Sequence, residues 1–592
     1  MRLGCEEVIW KGPTADSSRE VSIHSRAGTL EGTETTEDWN MRESTLGVVT
    51  MTAVWMASAC GSIRFERDPS DTGSGGGSPG SGGTTPTIGG AGGGTTTSSD
   101  GAIETVGVGG AGGAGGTGGS GGATPSCTLV TSAQGAYWNL GQCTEVSSGN
   151  ADVTVDEASA AQTWEGFGGA FNELGWSYLT SKDMQDQVIQ LLFGRDGARL
   201  AWGRIPIGAS DYAISRYTDD DTETDVPPSS DQSNRPPADT SLSKFSIDRD
   251  GQELIPYIKA AQVVNPDLRF WASSWTPPVW MKTGYKKDDG NGGTAKHPSY
   301  YDGGSMKDDD ATLTAHAQYF VKFIQAYRAQ GISIEVVAAQ NEPTYDLNYP
   351  SCLWDKATYT TFIGKYLGPA ISSANLTTKI MLGTMSNSSS GTDPDLAAAV
   401  LADSTAKGYC AVIGAQWDML NQTKLSALKS SLPVWATEHK CGNYPWDKTK
   451  YKSTAPNDQA YGVESWGLIR DAIAKVGVTS YNAWNMVLDK LGKGIDTSRD
   501  WAQNALLVAN SGQVTATPAY YVFRHISQFV EPGAQVVGTS GGDALAFKNP
   551  DDSIVAVMFN SGAAKSTYTV SMGGKKLQLA MPASGWATVV SR

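Results

Sequence analysis

Two glutamates in the second half of the sequence, Glu342 and Glu438, each come at the end of a short apolar run. Glu342 follows the run at 332–340 and precedes Pro343, which disfavours helical geometry at the residue before it and keeps the chain extended. Glu438 closes the run at 433–438. Two carboxyl groups that face each other across a cleft can cleave a glycosidic bond, one by proton transfer and the other by nucleophilic attack. The alternative for each glutamate alone is an acid on a solvated loop.

This chemistry places two requirements on the pair. The carboxyl groups lie roughly 5–5.5 Å apart in enzymes that retain configuration and about 6.5–9.5 Å apart in those that invert it. Their pKa values must also differ, and the negative charge of Glu438 would help to keep Glu342 protonated. Asn341 beside Glu342 can donate a hydrogen bond to a sugar hydroxyl or to a carboxylate. Glu173 and Asp211 lie near predicted strand ends, which makes them candidates for substrate binding.

The sequence around the two glutamates alternates between apolar, strand-like runs and helical patterns. Eight such alternations predict a (β/α)8 TIM barrel over 164–528, with a doubly wound open sheet as the alternative. The predicted strands lie at 166–171, 198–208, 268–274, 332–340, 379–384, 411–416, 433–438 and 480–485. By this count the glutamates follow the fourth and seventh strands. The C-terminal ends of barrel strands share one rim, which is where barrel enzymes carry their active sites.

The sequence on either side of the predicted barrel has a different pattern. In 529–592, short segments of alternating polarity lie between Gly and Asp turns, which is typical of a small antiparallel β domain. The segment 127–163 precedes the barrel and is expected to add strands to it. We therefore expect a β-sandwich built from both flanks of the barrel.

The N-terminal part of the chain carries no pattern of a folded domain. Residues 1–40 lack apolar periodicity, and we expect them to be a start-site artefact, with the true start at Met41. In 41–60, the apolar stretch 46–59 suits a signal peptide and is too short to span a bilayer. Its end at Cys60 resembles either a bacterial lipoprotein box or a plain signal peptidase site. The Gly-, Ser- and Thr-rich segment 61–126 predicts a flexible linker. A secreted or cell-surface location follows from these assignments.

The amino-acid composition of the chain indicates which classes of molecule it can bind. The formal net charge of −16 and the absence of a long basic run argue against nucleic acid. The 18 Trp can fill a core or pack against sugar rings. No zinc, nucleotide or phosphate-binding pattern is present, and hydrolysis by two carboxylates needs no cofactor or metal. We expect a monomer that binds a carbohydrate, with a lipid anchor at the membrane if Cys60 is acylated.

The seven cysteines form no CxxC pair. Cys127 and Cys143 lie close together in a loop-rich stretch and are the best candidates for a disulfide in an exported protein. The pairing of Cys352, Cys410 and Cys441 is left open by the sequence.

Several motifs occur in the order found in glycoside hydrolase family 30, which the chain resembles over 163–592. They are Trp164-Glu165-Gly166-Phe167-Gly168-Gly169-Ala170, Arg204-Ile205-Pro206-Ile207-Gly208, Ala272-Ser273-Ser274-Trp275-Thr276-Pro277-Pro278, Asn341-Glu342-Pro343 and Thr437-Glu438. The family includes glucosylceramidases, β-1,6-glucanases and some xylan-acting enzymes. The resemblance implies a (β/α)8 barrel with a side β-sandwich.

The resemblance also implies roles for individual residues. Glu342 corresponds to the general acid/base and Glu438 to the nucleophile. The implied substrate-binding residues are Arg204, Asp211, Trp275, Asn341, Trp417 and Trp484. Some of them have structural alternatives: Arg204 could pair with the nucleophile, Trp275 and Trp484 could pack at the barrel mouth, and Asp211 could cap a loop.

One departure bears on the substrate. Glucosylceramidases carry His-Trp-Tyr after the sixth strand, whereas this chain has Gln416-Trp417-Asp418. We therefore expect a retaining β-glycosidase for β-linked glucosides or glucans, without ceramide as the required aglycone. The alternatives are a xylan- or galactan-directed hydrolase and a non-catalytic surface protein that binds carbohydrate. The acidic insertion at 218–250 is expected to be a solvated loop, with a role in shaping subsites as the alternative.

Overall fold

The computed structural model describes residues 8–10, 23–27, 35–39, 64–65, 127–221, 236–283, 299–439, 459–496 and 503–592. The predicted signal peptide at 41–60 lies outside these residues, as do the linker at 61–126 apart from Arg64–Phe65 and most of 1–40. The described backbone before residue 117 is a four-stranded sheet of Thr35–Trp39, Ile23–Ala27, Val8–Trp10 and Arg64–Phe65.

Eight parallel strands close into a barrel, so the predicted (β/α)8 fold is confirmed and the open sheet is wrong. The strands are β1 Gly166–Ala170, β2 Trp202–Ile207, β3 Arg269–Ser274, β4 Ile334–Ala338, β5 Lys379–Met385, β6 Cys410–Gln416, β7 Val434–Glu438 and β8 Ser480–Asn485. Each pairs with its neighbours in chain order, and β8 pairs with β1 to close the ring. Nearly all their residues are buried, as the continuous apolar runs predicted.

Tryptophans fill part of the barrel interior. Trp202, Trp271 and Trp435 come from β2, β3 and β7 and form one buried cluster with Val336 and Met381. The ring centroids of Trp202 and Trp435 are 4.6 Å apart. These tryptophans therefore fill the core and do not pack against a sugar ring.

Helices connect the barrel strands and cover the outside. Ser181 caps one of them, because its side chain accepts a hydrogen bond from the backbone N–H of Met184 at 3.2 Å. The helices are Glu173–Ser177, Lys182–Phe193, Leu254–Val264, Asp310–Ala329, Lys356–Thr361, Phe362–Leu367, Gly368–Ser373, Asp393–Ala402, Ser404–Tyr409, Gln422–Ala427, Gln459–Asp471, Ala472–Val476 and Pro518–Ser527, with short 3-10 turns at Val279–Met281 and Trp417–Met419. Among the described residues, no helix combines the length and the apolar character needed to cross a membrane.

Strands from both flanks of the barrel form the β-sandwich. In order across the sheet they are Ala136–Gly141, Thr128–Ala133, Gly585–Ser591, Ile554–Asn560, Asp543–Lys548, Gln535–Ser540, Val153–Thr163, Lys565–Met572, Lys575–Met581 and Thr144–Glu145. Their buried side chains enclose a core separate from that of the barrel. Cys127 and Cys143 form a disulfide at the start of this domain, while Cys352 and Cys410 are free and buried. Cys441 lies outside the described residues.

Three short strands and one small hairpin lie outside these two sheets. Val487–Asp489, Leu507–Asn510 and Gln513–Ala516 form a three-stranded sheet after β8, and Lys282–Thr283 pairs with Ser305–Met306 after β3.

The prediction that 218–250 is a solvated loop is wrong for the acids at its two ends. Asp219, Asp220 and Asp250 are buried. Asp250 accepts hydrogen bonds from the hydroxyls of Tyr217 at 2.8 Å and Tyr327 at 2.6 Å. These contacts fix the segment that follows β2 against the neighbouring helix, as buried polar groups require partners.

Because Asp250 is buried, we expect the stability of the folded protein to depend on pH. Burial raises the pKa of Asp250 above its ordinary value, so the folded protein holds a proton that the unfolded chain releases. The stabilisation is present at low pH and is lost as the pH rises through the raised pKa. Asp250→Asn is expected to reduce the fall in melting temperature between about pH 5 and about pH 8.

Calorimetry of the wild type and of two variants checks this prediction. Asp267→Asn is the control, because Asp267 is exposed. Glu173 and Asp219 also have raised pKa values because of burial, so a smaller dependence on pH is expected to remain in Asp250→Asn. An Asp250→Asn melting temperature that falls as steeply with pH as the wild-type value would contradict the prediction.

Candidate active site

The two glutamates lie where β4 and β7 end. Glu438 is the last residue of β7, and Glu342 follows the end of β4 by four positions. The backbone N–H of Asn341 donates to the carbonyl of Ser274 at 2.6 Å, and that of Glu342 donates to the carbonyl of Thr384 at 2.9 Å. The segment after β4 is thereby held between the ends of β3 and β5, and it presents Glu342 at the same rim as Glu438.

A single amide group joins the two carboxylates. Nε2 of Gln416, at the end of β6, lies 3.4 Å from Oε1 of Glu342 and donates a hydrogen bond to Oε2 of Glu438. Because both oxygens contact the same nitrogen, they are no more than about 7 Å apart, twice the longest hydrogen-bond length. The separation of a retaining pair falls within this limit, whereas most of the range of inverting pairs, about 6.5–9.5 Å, lies beyond it. The carboxylates therefore meet at one rim, as the sequence predicted.

Glu438 is surrounded by hydrogen-bond donors and one cation. Nη1 of Arg204 lies 3.4 Å from Oε1, and Nε1 of Trp417 donates to Oε2 at 3.1 Å. Arg204 is fully buried and Glu438 is only 4% exposed. The cation and the two N–H donors stabilise the ionised form of this carboxylate, which offsets part of the cost of burying its charge.

Glu342 has a different environment. Its Oε2 accepts a hydrogen bond from the hydroxyl of Tyr349 at 2.9 Å, and its side chain is 7% exposed. The backbone φ of Glu342 is +51°, in the left-handed region that non-glycine residues rarely adopt. Strain of this kind persists where surrounding contacts hold a functional side chain in place. Here the hydrogen bond to Thr384 is one such contact.

Burial raises the pKa of both Glu342 and Glu438 above the ordinary glutamate value. Arg204 lowers the pKa of Glu438, whereas the negative charges of Glu342 and Asp211 raise it. The pair therefore keeps one proton at pH values where a free glutamate is ionised, and the two groups titrate together. The guanidinium group of Arg204 beside Glu438 favours the charge on Glu438 and the proton on Glu342.

Asn341 has its side-chain orientation fixed by its neighbours. Its Oδ1 accepts from Nη2 of Arg204 at 2.6 Å and from the hydroxyl of Thr384 at 2.7 Å. Within the described residues, no side chain or backbone carbonyl accepts a hydrogen bond from its Nδ2. The orientation of the Asn341 side chain is thus set through its Oδ1 atom.

Trp275 and Trp484 pack around Arg204. Their rings stack on each other with centroids 5.4 Å apart, and the guanidinium carbon of Arg204 lies 4.4 Å and 5.1 Å from the two rings. Both tryptophans are buried. These contacts support the interpretation of Trp275 and Trp484 as packing residues. Their ring faces lie against the guanidinium group and hold Arg204 next to Glu438.

Asp211 lies on the segment after β2, and its position is fixed through its backbone. Its carbonyl accepts from the N–H of Ile495 at 2.7 Å, which joins this segment to the one after β8. Asp211 is buried, and its charge raises the pKa of both Glu342 and Glu438. Asp211 thus lies near the carboxylate pair, and its role in substrate binding stays a prediction.

Two residues that contact the glutamates, Tyr349 and Gln416, were not predicted as site residues from the sequence. Tyr349 was not singled out, because no motif marks it; it lies seven positions after Glu342 in the same loop. Gln416 was noted only as a departure from the family, yet its amide supplies the hydrogen bond to both carboxylates. Asp418, which stands where glucosylceramidases have the tyrosine of His-Trp-Tyr, is exposed. The neighbouring Trp417 donates a hydrogen bond to Glu438.

Comparison with known proteins gives a consistent result. The family model described as "Glycosyl hydrolase family 30 TIM-barrel domain" matches residues 164–530, and the one described as "Glycosyl hydrolase family 30 beta sandwich domain" matches residues 533–589. The first match covers more than half of the chain and includes both glutamates.

The sequence identity between this chain and individual relatives is low. The chain is 29% identical to "Putative glucosylceramidase 4" of Caenorhabditis elegans, over 73% of this chain and 81% of that protein. It is 26% identical to endo-1,6-beta-D-glucanase neg1 of Aspergillus fumigatus, over 71% of this chain and 83% of that protein. In fold it is similar to the crystal structure of SrfJ from Salmonella typhimurium, with a TM-score of 0.64, 22% identity, and coverage of 79% of this chain and 99% of the other.

Proposed function

The chain belongs to glycoside hydrolase family 30 and is an O-glycosyl hydrolase, and we propose that it hydrolyses β-linked glucosides or glucans with retention of configuration. Glu342 is the general acid/base and Glu438 the nucleophile. The observation that supports this most strongly is the shared contact of both carboxylates with Nε2 of Gln416, since it limits their separation. The asymmetry of their environments assigns the proton to Glu342 and the charge to Glu438.

The reaction proceeds in two displacements. In the first, Glu438 forms a bond to the anomeric carbon while the glycosidic bond breaks and Glu342 gives its proton to the leaving oxygen. In the second, Glu342 takes a proton from water, the water oxygen bonds to the anomeric carbon, and Glu438 leaves as a carboxylate. Arg204 and Trp417 stabilise that carboxylate before and after the covalent intermediate.

Other residues at the rim hold the sugar. Asn341 donates from Nδ2 to a sugar hydroxyl, because its Oδ1 is occupied by Arg204 and Thr384. Asp211 accepts from sugar hydroxyls, and the half-buried ring of Trp417 packs against a sugar face. Trp275 and Trp484 act through Arg204, against which they stack.

A glucoside or glucan substrate is supported by the names of the relatives, which include a glucosylceramidase and an endo-1,6-beta-D-glucanase. Purified 127–592 can be assayed on aryl β-glucoside, β-xyloside and β-galactoside, and on β-1,6-glucan, xylan and glucosylceramide. We expect the glucoside and β-1,6-glucan to be the best substrates. Preferred turnover of xylan or of a galactoside would replace this substrate assignment within the same family.

Retention is tested on the first product formed. Proton NMR during hydrolysis of an aryl β-glucoside distinguishes the anomers before they interconvert in solution. We expect β-glucose to appear first, because two displacements at one carbon restore the starting configuration. Initial release of α-glucose would show direct attack by water and would exclude the nucleophile role of Glu438.

We further propose that the protein is exported. The apolar stretch 46–59 and the disulfide between Cys127 and Cys143 support this, since disulfides persist in oxidising compartments. Cleavage after Ala59 leaves Cys60 first in the mature chain for either type of signal peptidase. The mass of the N-terminal peptide is expected to show this start and whether Cys60 carries lipid. A mature chain that retains 46–59 would contradict export by this route.

A further inference from the structure

The pairing between β6 and β7 is irregular where the two strands reach the active site. Ala415 pairs with Ala436, but the next residue, Gln416, pairs with Glu438. Thr437 is therefore an extra residue on β7, which is the arrangement of a β-bulge. Without the bulge, Gln416 would be opposite Thr437. With it, Gln416 and Glu438 are opposite each other and their side chains meet.

The side chain of the extra residue contacts the amide of Gln416. The hydroxyl of Thr437 donates to Oε1 of Gln416 at 2.9 Å, with the carbonyl of Ala415 as a longer alternative at 3.3 Å. Both Thr437 and Gln416 are fully buried, so water does not compete for this hydrogen bond. An amide whose oxygen is held by a hydroxyl has its nitrogen directed to the opposite side.

On that opposite side, the neighbours of Gln416 all accept hydrogen bonds. Nε2 lies 3.4 Å from Oδ1 of Asn341 and 3.4 Å from Oε1 of Glu342, and it contacts Oε2 of Glu438. If the amide rotated by half a turn, its oxygen would face these oxygens and repel them. The orientation of the amide therefore decides whether Gln416 stabilises or destabilises the carboxylate pair.

We propose that Thr437 is a positioning residue for catalysis, which acts by orienting the Gln416 amide so that its N–H groups face the two carboxylates. The proposal rests on the proposed roles of Glu342 and Glu438. Thr437 itself is buried and contacts neither substrate nor the reacting atoms. Its effect reaches the reaction through Gln416 alone, which makes the proposal testable by combining substitutions.

Thr437→Val removes the hydroxyl and keeps the shape of the side chain. We expect kcat on an aryl β-glucoside to fall about 10- to 100-fold, the loss that corresponds to one hydrogen bond to a charged group. KM should change by less than about twofold, and both limbs of the pH profile should move to higher pH, because the carboxylates lose a donor. Thr437→Ser, which restores the hydroxyl, should recover most of the activity.

Two further variants separate this role from a structural one. Thr378→Val is the matched control, because Thr378 is also buried and its hydroxyl donates to the carbonyl of Ile334 at 2.7 Å, away from the glutamates. In a Gln416→Ala background, adding Thr437→Val should cost no further activity, since the residue through which Thr437 acts is gone. Thr437→Ala provides the same comparison if the valine variant does not fold.

Each outcome bears on the proposal. Loss of kcat in Thr437→Val that disappears in the Gln416→Ala background supports it. Activity and a pH profile equal to those of Thr378→Val overturn it, as does an equal loss with and without Gln416. Failure of the proposed function is a separate result: it would appear as normal turnover by a Glu438→Ala variant, whatever Thr437→Val does.

Discussion

Replacement of Glu438 by alanine is expected to lower kcat for an aryl β-glucoside by on the order of 10⁴-fold or more, because no other group can form the covalent intermediate. The fully buried Arg204 loses its carboxylate partner in this variant, which is expected to lower the free energy of unfolding by about 3–5 kcal/mol, so circular dichroism is used to check that the purified variant is folded. Steady-state kinetics on the purified variant measures the loss. Glu335→Ala is the control: Glu335 is also a strand glutamate, but its side chain is 40% exposed and pairs with Arg269.

Azide provides a second measurement on the same variant. The small anion can occupy the space left by the Glu438 side chain and attack the anomeric carbon directly. We expect azide to restore turnover and to give the α-glucosyl azide, since a single displacement inverts configuration. A β-glucosyl azide, or near-normal hydrolysis without azide, would contradict the assignment of Glu438 as nucleophile.

Replacement of Glu342 by alanine is expected to lower kcat/KM for substrates with poor leaving groups by about 10²- to 10⁴-fold, the usual contribution of a general acid. A 2,4-dinitrophenyl glucoside needs no proton to depart, so its first displacement should remain fast. The second displacement lacks its base, so the covalent intermediate should accumulate and give a burst of released phenol. Rapid-mixing kinetics measures the burst.

The pH profile of the Glu342→Ala variant is equally informative. In the wild type, activity is expected to fall at low pH as Glu438 takes up a proton and at high pH as Glu342 loses one. The variant should lose the alkaline limb. Azide should here give the β-glucosyl azide by attack on the glycosyl-enzyme, the opposite anomer from Glu438→Ala. Glu531→Ala serves as the control, because Glu531 is half-exposed and pairs with Arg199. If the alkaline limb of the pH profile persists in Glu342→Ala, the acid/base role of Glu342 is contradicted.

The barrel could be predicted because its signal is local. Each strand is a continuous apolar run, and the runs alternate with helical patterns, so the order of elements follows from the sequence. The ends of the strands are less predictable. The second strand was predicted from 198 but begins at Trp202, because the N–H groups of Ala198 and Leu200 donate to Leu191 and Leu192 at the end of the preceding helix.

The positions of Glu342 and Glu438 could also be predicted, since strand order alone places both at one rim. The contacts between their neighbours could not. The bulge at Thr437 depends on the register of two strands, and only that register places Gln416 opposite Glu438. In the same way, residue type does not decide whether Trp275 stacks on a sugar or on Arg204; the fold around it does.

The acids after β2 show a further limit of sequence interpretation. A run of aspartates is usually solvated, because unpaired burial of charge is costly. Asp219 and Asp250 are buried nevertheless, since tyrosine hydroxyls from distant helical positions supply their hydrogen bonds. These tyrosines appear in the sequence only as part of the apolar stripe of a helix.

The most direct test is to trap the glycosyl-enzyme. A 2-deoxy-2-fluoro-β-glucosyl fluoride slows both displacements, while its reactive leaving group keeps the first faster than the second, so the intermediate accumulates. Mass spectrometry of the digested protein is expected to find one fluoroglucosyl unit on the peptide that contains Glu438, bound to that carboxylate. A label on any other residue, or inactivation without a label on Glu438, would contradict the account.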